Sequence, residues 1–391
     1  MKIENIEISG VGGIRELKLA FHDGLNVICG ANGVGKSTVL DIIADAFTTN
    51  TSNLKRNARC TKGKYIIFFE DANGGNSHKF FEIEEFLPTK HDSGRVSSNE
   101  SQYVLYFSIN RTLNYKALDS IPKDGSRENR EAAQQLHFGV ENSDLKGWFI
   151  NRYVFSDKPD SLSVEQKENF KLAKRALSLL DDTVSFLTVD GTTLDIKLQT
   201  GRGDVYFEYL SAGYKTCFSL VLGIIKEIEF RFKNPTIKAE DFNGVILIDE
   251  IDLHLHPTWQ GPLISTLKAL FPKVQFIVTT HSPSVLQTLN EKEIIALSTD
   301  ENGDTIQKTF KLGRYGLQGW TVEEILKDIM GMKTTTSSLY TDTIKGFDAA
   351  MTREDFKAIR ESYAVLSEML HPDSILLKMM DIQIAGLEEL Q

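Results

Sequence analysis

Cysteine is scarce in this chain: three in 391 residues, Cys29, Cys60 and Cys217, at spacings that suit no metal site. That argues against a zinc-built or disulfide-built fold, and Cys29 lies against a glycine-rich loop where a disulfide would be awkward. A reducing cytosol is the expected compartment. Long apolar runs are missing as well. No stretch approaches the roughly 20 residues that span a bilayer, and the opening Met1-Lys2-Ile3-Glu4-Asn5-Ile6-Glu7 is too acidic and interrupted for a signal peptide. The expectation is a soluble, cytoplasmic protein with no membrane partner. Basic excess is also absent: 44 Lys and Arg stand against 54 Asp and Glu, a formal net charge of −10. No global positive field draws the chain to nucleic acid, so a DNA contact would be local. Its best candidate is the cluster Lys55, Arg56, Arg59, Lys62 and Lys64, for which an ordinary solvated loop is the competing reading.

What is present begins at residue 30. Gly30-Ala31-Asn32-Gly33-Val34-Gly35-Lys36-Ser37 fits the phosphate-loop pattern G-x-x-x-x-G-K-[ST], and Thr38 follows it. The preceding Leu25-Asn26-Val27-Ile28-Cys29 reads as a buried strand, and Val39, Leu40, Ile42, Ile43, Ala46 and Phe47 recur at helical spacing. Strand, glycine loop and helix together point to a nucleotide site rather than a chance turn. Glycines let the backbone wrap an anion, whose charge the loop N–H groups and the helix N-terminus stabilise. Lys36 is expected to reach the β- and γ-phosphates, Ser37 to offer a hydroxyl to Mg2+, and Thr38 to add a phosphate contact.

Three further elements carry chemistry. Val245-Ile246-Leu247-Ile248 is an apolar run ending in Asp249 and Glu250, as expected of a strand buried on both faces whose C-terminal end opens into a ligand crevice. Asp249 is assigned to the metal, directly or through water, and Glu250 to polarising a water for attack on the γ-phosphate. A second buried run, 274–280, ends at His281, placed to reach the γ-phosphate or that water. Leu210-Ser211-Ala212-Gly213-Tyr214 opens a long apolar helix; Ser211 is a good N-cap, and Gly213 lets a phosphate come close to the exposed N–H groups.

Texture divides the chain into a lobe at 1–109 carrying the phosphate loop, an inserted helical subdomain at 110–204, a lobe at 205–319 and a helical end at 320–391. The first lobe reads as short strands, with runs 65–70 and 79–86 forming an antiparallel edge across Asn73-Gly74-Gly75-Asn76. In the insertion a helix is expected over about 164–181, and at the end two helices over 352–370 and 374–390, divided by His371-Pro372.

Phosphate loop, Leu210-Ser211-Ala212-Gly213, carboxylate pair and histidine, in that order, resemble the ATP-binding-cassette branch of the AAA-type ATPases, particularly its non-transporter Rad50, RecF and structural-maintenance-of-chromosomes heads. The resemblance covers the first hundred residues and roughly 205–300. It implies an α/β head with a mixed or parallel sheet and antiparallel N-terminal strands, here with the insertion and the C-terminal helices added. It also casts Gly30 to Thr38 as Walker A, Ser211 and Gly213 as a degenerate signature, Asp249 and Glu250 as Walker B, and His281 as the switch histidine. ATP with Mg2+ is the implied cofactor pair, and ATP hydrolysis, at a slow rate, the implied activity. Because such heads hold each ATP between Walker A of one subunit and the signature of another, a homodimer or higher homo-oligomer is implied.

The sequence departs from that pattern. The signature reads Leu-Ser-Ala-Gly-Tyr, and no glutamine follows the run 103–108, which leaves Asn110 or Arg111 for that loop. His254 and His256 suit either a metal pair or the dimer-contact loop of such ATPases, with Pro257 starting the next helix. An insertion of about 90 residues is too short for a long coiled coil. The compact insertion, Leu253-His254-Leu255-His256-Pro257-Thr258-Trp259-Gln260 and the helical end resemble the PtuA-type ATPase subunits of Septu and retron anti-phage systems. That implies a separate nuclease of HNH type held in trans, since neither an HNH cluster nor a Toprim carboxylate set is recognisable here. The alternatives are a RecF-like repair factor clamping DNA and a nucleotide-locked scaffold with negligible turnover.

Overall fold

Runs of consecutive apolar residues are satisfied only in a sheet covered on both faces, and five of them form the parallel heart of this protein. The strands lie in the order Ile294–Thr299, Leu25–Gly30, Gln275–Thr279, Val245–Ile248 and Val104–Phe107, with Thr305–Lys308 added antiparallel beside the first. A computed structural model describes residues 1–49, 51–88, 91–92, 99–111 and 115–388, in two units divided after Gly331.

Strand alternation sorts the first unit into two cores. Ile28, Val245, Leu247 and Ile277 face one; Val27, Cys29, Ile246, Ile248, Phe276 and Val278 face the other. The first core is closed by a four-stranded antiparallel sheet in the order Ile14–Ala20, Lys2–Val11, Gly63–Glu70, Asn76–Ile83. The helix Lys36–Asp45 packs Val39, Leu40, Ile42 and Ile43 into the same core. The expected antiparallel edge is therefore present, its turn held by the Asp71 carboxylate accepting from the N–H groups of Asn73 and Gly75 at 2.7 and 2.9 Å. Part of the polar stretch 90–101 that follows in the sequence lies outside the described residues.

The second core is covered by the helices Leu145–Phe155, Val164–Leu180, Ala212–Arg231 and Pro257–Leu270. The insertion thus shares a core with the second lobe, Trp148, Phe149, Phe170 and Leu177 joining Ile224, Ile228 and Leu263. Glu229 locks two of these helices: it accepts from Trp148 Nε1 at 2.9 Å and from Arg152 Nε and Nη2 at 2.8 and 2.5 Å, all buried. The insertion is not wholly helical. Ser185–Val189, Ile196–Thr200 and Gly203–Tyr206 form a three-stranded antiparallel sheet, with turns near Asp190-Gly191 and Gly201-Arg202. Residues 320–331 fall in the first unit, where Ile325 and Ile329 are buried.

The second unit holds the helices Ser338–Arg353, Phe356–Met369 and Ile375–Glu388, packed on Phe347, Ala350, Ile359, Leu366 and Met380. The helix expected over 352–370 is present as Phe356–Met369, and Thr352 and Arg353 are the last residues of the helix before it. Glu354 ends that earlier helix at φ 56°, and the Asp355 carboxylate caps the later one by accepting from Ala358 N–H at 3.1 Å.

Candidate active site

The phosphate loop leaves its strand at Gly30 and enters its helix at Lys36. A side chain at Gly30 would place a Cβ 2.1 Å from the Leu297 carbonyl oxygen of the adjacent strand, whereas one at Gly33, at φ 76°, would meet nothing within 4 Å. The loop is therefore pinned at its base and open at its crest, where Asn32 and Gly33 are exposed. Val34 is buried and its carbonyl accepts from Thr305 Oγ1 at 3.1 Å, which fixes the far side of the loop to the edge strand. Lys36 is buried and donates to the carbonyls of Gly30 and Ala31 at 3.1 and 2.8 Å; burial holds its ammonium below the ordinary lysine range. No side chain caps the helix that begins there, so its first N–H groups remain available to an anion. Thr38 lies against Gly12 at the foot of the helix.

Across the sheet register, Ile248 stands beside Val278 and Thr279 beside Ile28, so three neighbouring strands end at one place. There Asp249 Oδ1 accepts from Ser37 Oγ at 2.9 Å and from Thr279 Oγ1 at 2.6 Å. The Glu250 N–H donates to the same Thr279 oxygen at 2.7 Å, and Glu250 sits at φ 47°, a left-handed conformation that costs a bulky residue about 1–3 kcal/mol. Asp252 Oδ1 accepts from Thr280 Oγ1 at 2.6 Å and from the His281 N–H at 3.3 Å. Burial, then the Lys36 charge, holds the His281 imidazolium below its usual range, so the ring is neutral near pH 7.

The structure thus brings Lys36, Ser37, Asp249, Glu250 and His281 together. It does not bring Ser211 and Gly213 to them. Ser211 occupies the N-cap position of Ala212–Arg231, but its hydroxyl makes no cap bond, a correction to the expected capping role. Gly213 faces the His254 carbonyl, with a Cβ there 3.5 Å from it, and Tyr214 packs on Trp259 with ring centroids 4.1 Å apart. No hydrogen bond among the described residues joins either signature residue to the phosphate loop. His256 is a helix cap, its ring nitrogen accepting from Thr258 N–H at 3.4 Å ahead of Pro257, and no group of three or more His, Cys, Asp or Glu among the described residues could hold a metal. In the basic cluster Lys62 pairs with Glu84 at 2.6 Å and Glu82 at 3.6 Å, and Arg56 lies 4.7 Å over Phe86.

Sequence reasoning missed Thr279, Thr280 and Asp252, whose only signal is a pair of hydroxyls at a strand end and a third acid after the carboxylate pair. Chemically, a lysine and free N–H groups suit a polyphosphate. A hydroxyl and a carboxylate sharing a hydrogen bond are hard oxygen donors that fit Mg2+ between them.

A family model described as AAA domain, putative AbiEii toxin, Type IV TA system matches residues 25–287. A Septu protein PtuA from Bacillus thuringiensis is 41% identical over 388 residues, covering 98% of each chain. The Retron Ec83 probable ATPase from Escherichia coli is 28% identical over 243 residues, 59% of this chain and 43% of that protein. Among solved structures, the SMC head domain from Thermotoga maritima is 18% identical with a TM-score of 0.47, over 80% of this chain and 100% of that one.

Proposed function

The chain belongs to the AAA-domain family matched at residues 25–287 and groups with the Septu PtuA proteins; from that premise we propose that its ATP site closes between two copies of the chain and that this closure controls a nuclease carried on a separate subunit. Hydrolysis of ATP needs a nucleotide cradle, a metal and a base. Gly30 to Thr38 form the cradle, Ser37 and Asp249 would hold Mg2+, and Glu250 is the base. The metal, when bound, neutralises charge on the phosphates. As a water oxygen bonds to the γ-phosphorus, Glu250 takes its proton, the bond to the β–γ bridging oxygen breaks and its electron pair leaves on ADP. His281, whose imidazolium is disfavoured by burial, orients that water or the γ-phosphate.

The observation that carries the reading is the position of Ser211: an exposed hydroxyl at a helix start that makes no cap bond and, among the described residues, no hydrogen bond to the phosphate loop. Such an exposed hydroxyl is free to meet the γ-phosphate held by a second copy. Light scattering on the Glu250→Gln protein tests this. ATP should double the mass, ADP should not, and adding Ser211→Arg should keep the protein monomeric; pairing that ignores Ser211 and nucleotide alike overturns the reading.

The separate nuclease, of HNH type, is assigned to the helical unit 332–388. Deleting that unit should abolish co-purification of the partner while the remaining ATPase still binds nucleotide. Direct DNA contact through Lys55, Arg56, Arg59, Lys62 and Lys64 is the alternative. It predicts salt-sensitive DNA binding that disappears when those five become Ala, and the Lys62 ion pairs with Glu84 and Glu82 weigh against it.

A further inference from the structure

Arg111 follows the strand Val104–Phe107 and is 7% exposed. One terminal nitrogen donates to the Glu250 carbonyl. Nε and Nη1 are buried and have no hydrogen-bond partner, and no ion pair among the described residues takes up the charge. Natural proteins meet the needs of a buried cation, because an uncompensated charge in a poorly solvated place is strongly unfavourable. Here the compensation is incomplete. Asp249, Glu250 and Asp252 act on the guanidinium through space without pairing with it, burial still dominates, and Cys217 on the signature helix is the next neighbour.

The two idle nitrogens therefore stand at the carboxylate end of the sheet, beside the residues that would handle the γ-phosphate. A guanidinium presents parallel N–H donors matched to two oxygens of one phosphoryl group. We propose that Arg111 is a ligand of the γ-phosphate, donated by the same chain that holds the triphosphate, and that it makes the site respond to ATP rather than ADP. This deepens the proposed ATP site and rests on that reading. In hydrolysis Arg111 transfers no proton and forms no covalent bond. It holds oxygens whose charge rises as the water oxygen bonds to phosphorus and ADP departs with the bridging electron pair. Its bond to the Glu250 carbonyl ties this grip to the turn that carries the base.

The competing role is a strut that merely holds the Glu250 turn, and the two differ in readout. On the full chain, calorimetric titration with ADP and with a non-hydrolysable ATP analogue is compared with phosphate release for wild type and Arg111→Ala. A γ-phosphate ligand leaves ADP affinity nearly unchanged, weakens the ATP analogue about 10-fold or more and lowers release about 10³-fold. Millimolar guanidinium ion should then restore part of the rate to Arg111→Ala and none to Glu250→Gln. Equal weakening of both nucleotides, or an unchanged ATP-to-ADP ratio without guanidinium rescue, overturns the assignment. If Arg111→Ala does not fold, Arg111→Lys reads the same ratio: a lowered ratio supports the assignment and an unchanged one overturns it. Lys36→Ala keeps the two readings apart. Were it to bind both nucleotides like wild type, the ATP site itself would be misplaced, whatever Arg111 does.

Discussion

Thr279 Oγ1 ties the Asp249 carboxylate to the Glu250 backbone, donating to Asp249 Oδ1 at 2.6 Å and accepting from the Glu250 N–H at 2.7 Å. One hydroxyl thus sets the side chain of the proposed metal ligand and the backbone of the proposed base. Thr279→Val keeps the shape and removes both bonds. It should lower kcat about 10–100-fold and stability by about 1–3 kcal/mol, with nucleotide affinity little changed. Phosphate-release kinetics beside calorimetric titration checks this, and an unaltered kcat would reduce Thr279 to a packing residue.

Glu250→Gln preserves volume and removes the proton acceptor. Phosphate release should fall about 10²–10⁴-fold while ATP still binds. Equal rates for the two proteins would take Glu250 out of the role of base and favour a scaffold that hardly turns over.

Burial and the nearby Lys36 hold the folded-state pKa of His281 below 6.5. The folded chain then binds this proton more weakly than the unfolded chain, so the stability difference is fully present above pH 6.5 and is lost as pH falls through the folded value. Without nucleotide, the melting temperature should climb from about pH 5 toward neutrality, and His281→Gln should flatten the climb. Identical slopes in the two proteins would show that other groups set the pH dependence.

Glu229, 5% exposed, is held by Arg152 and Trp148 at the join of two core helices. Arg152→Met strands that carboxylate and should cost about 3–5 kcal/mol. Adding Glu229→Gln, which still accepts from Trp148, should recover much of the loss. Urea unfolding midpoints decide it: a double variant no more stable than the single one would mean that packing, not the stranded charge, dominates.

Much of this was legible in the sequence because the chemistry is local. Gly30 to Ser37 is contiguous, the runs ahead of Asp249 and His281 announce buried strands by being mostly apolar, and the α/β head is what the family resemblance carried by the order of the motifs implies. What escaped depends on neighbours that only the fold supplies. Thr279 matters because Gln275–Thr279 lies next to Val245–Ile248, and nothing in its own sequence surroundings says so. Arg111 and Asn110 are equal candidates for the loop after 103–108 in the sequence, and the burial and idle nitrogens of Arg111 show only in the fold. The strands at 185–206 were masked by the helical texture around them, and the break at Glu354 and Asp355 by a period that runs on across it.

Gly30 and Gly33 belong to one motif yet answer to different neighbours, the first to the Leu297 carbonyl and the second to open space. A null allele made at residue 30 would remove the protein by spoiling its sheet. One made at residue 33 would leave a folded chain whose cradle no longer takes a triphosphate. Placed side by side in a genetic assay, the pair would separate a phenotype of absence from a phenotype of emptiness, a distinction that a single knock-out of the motif erases.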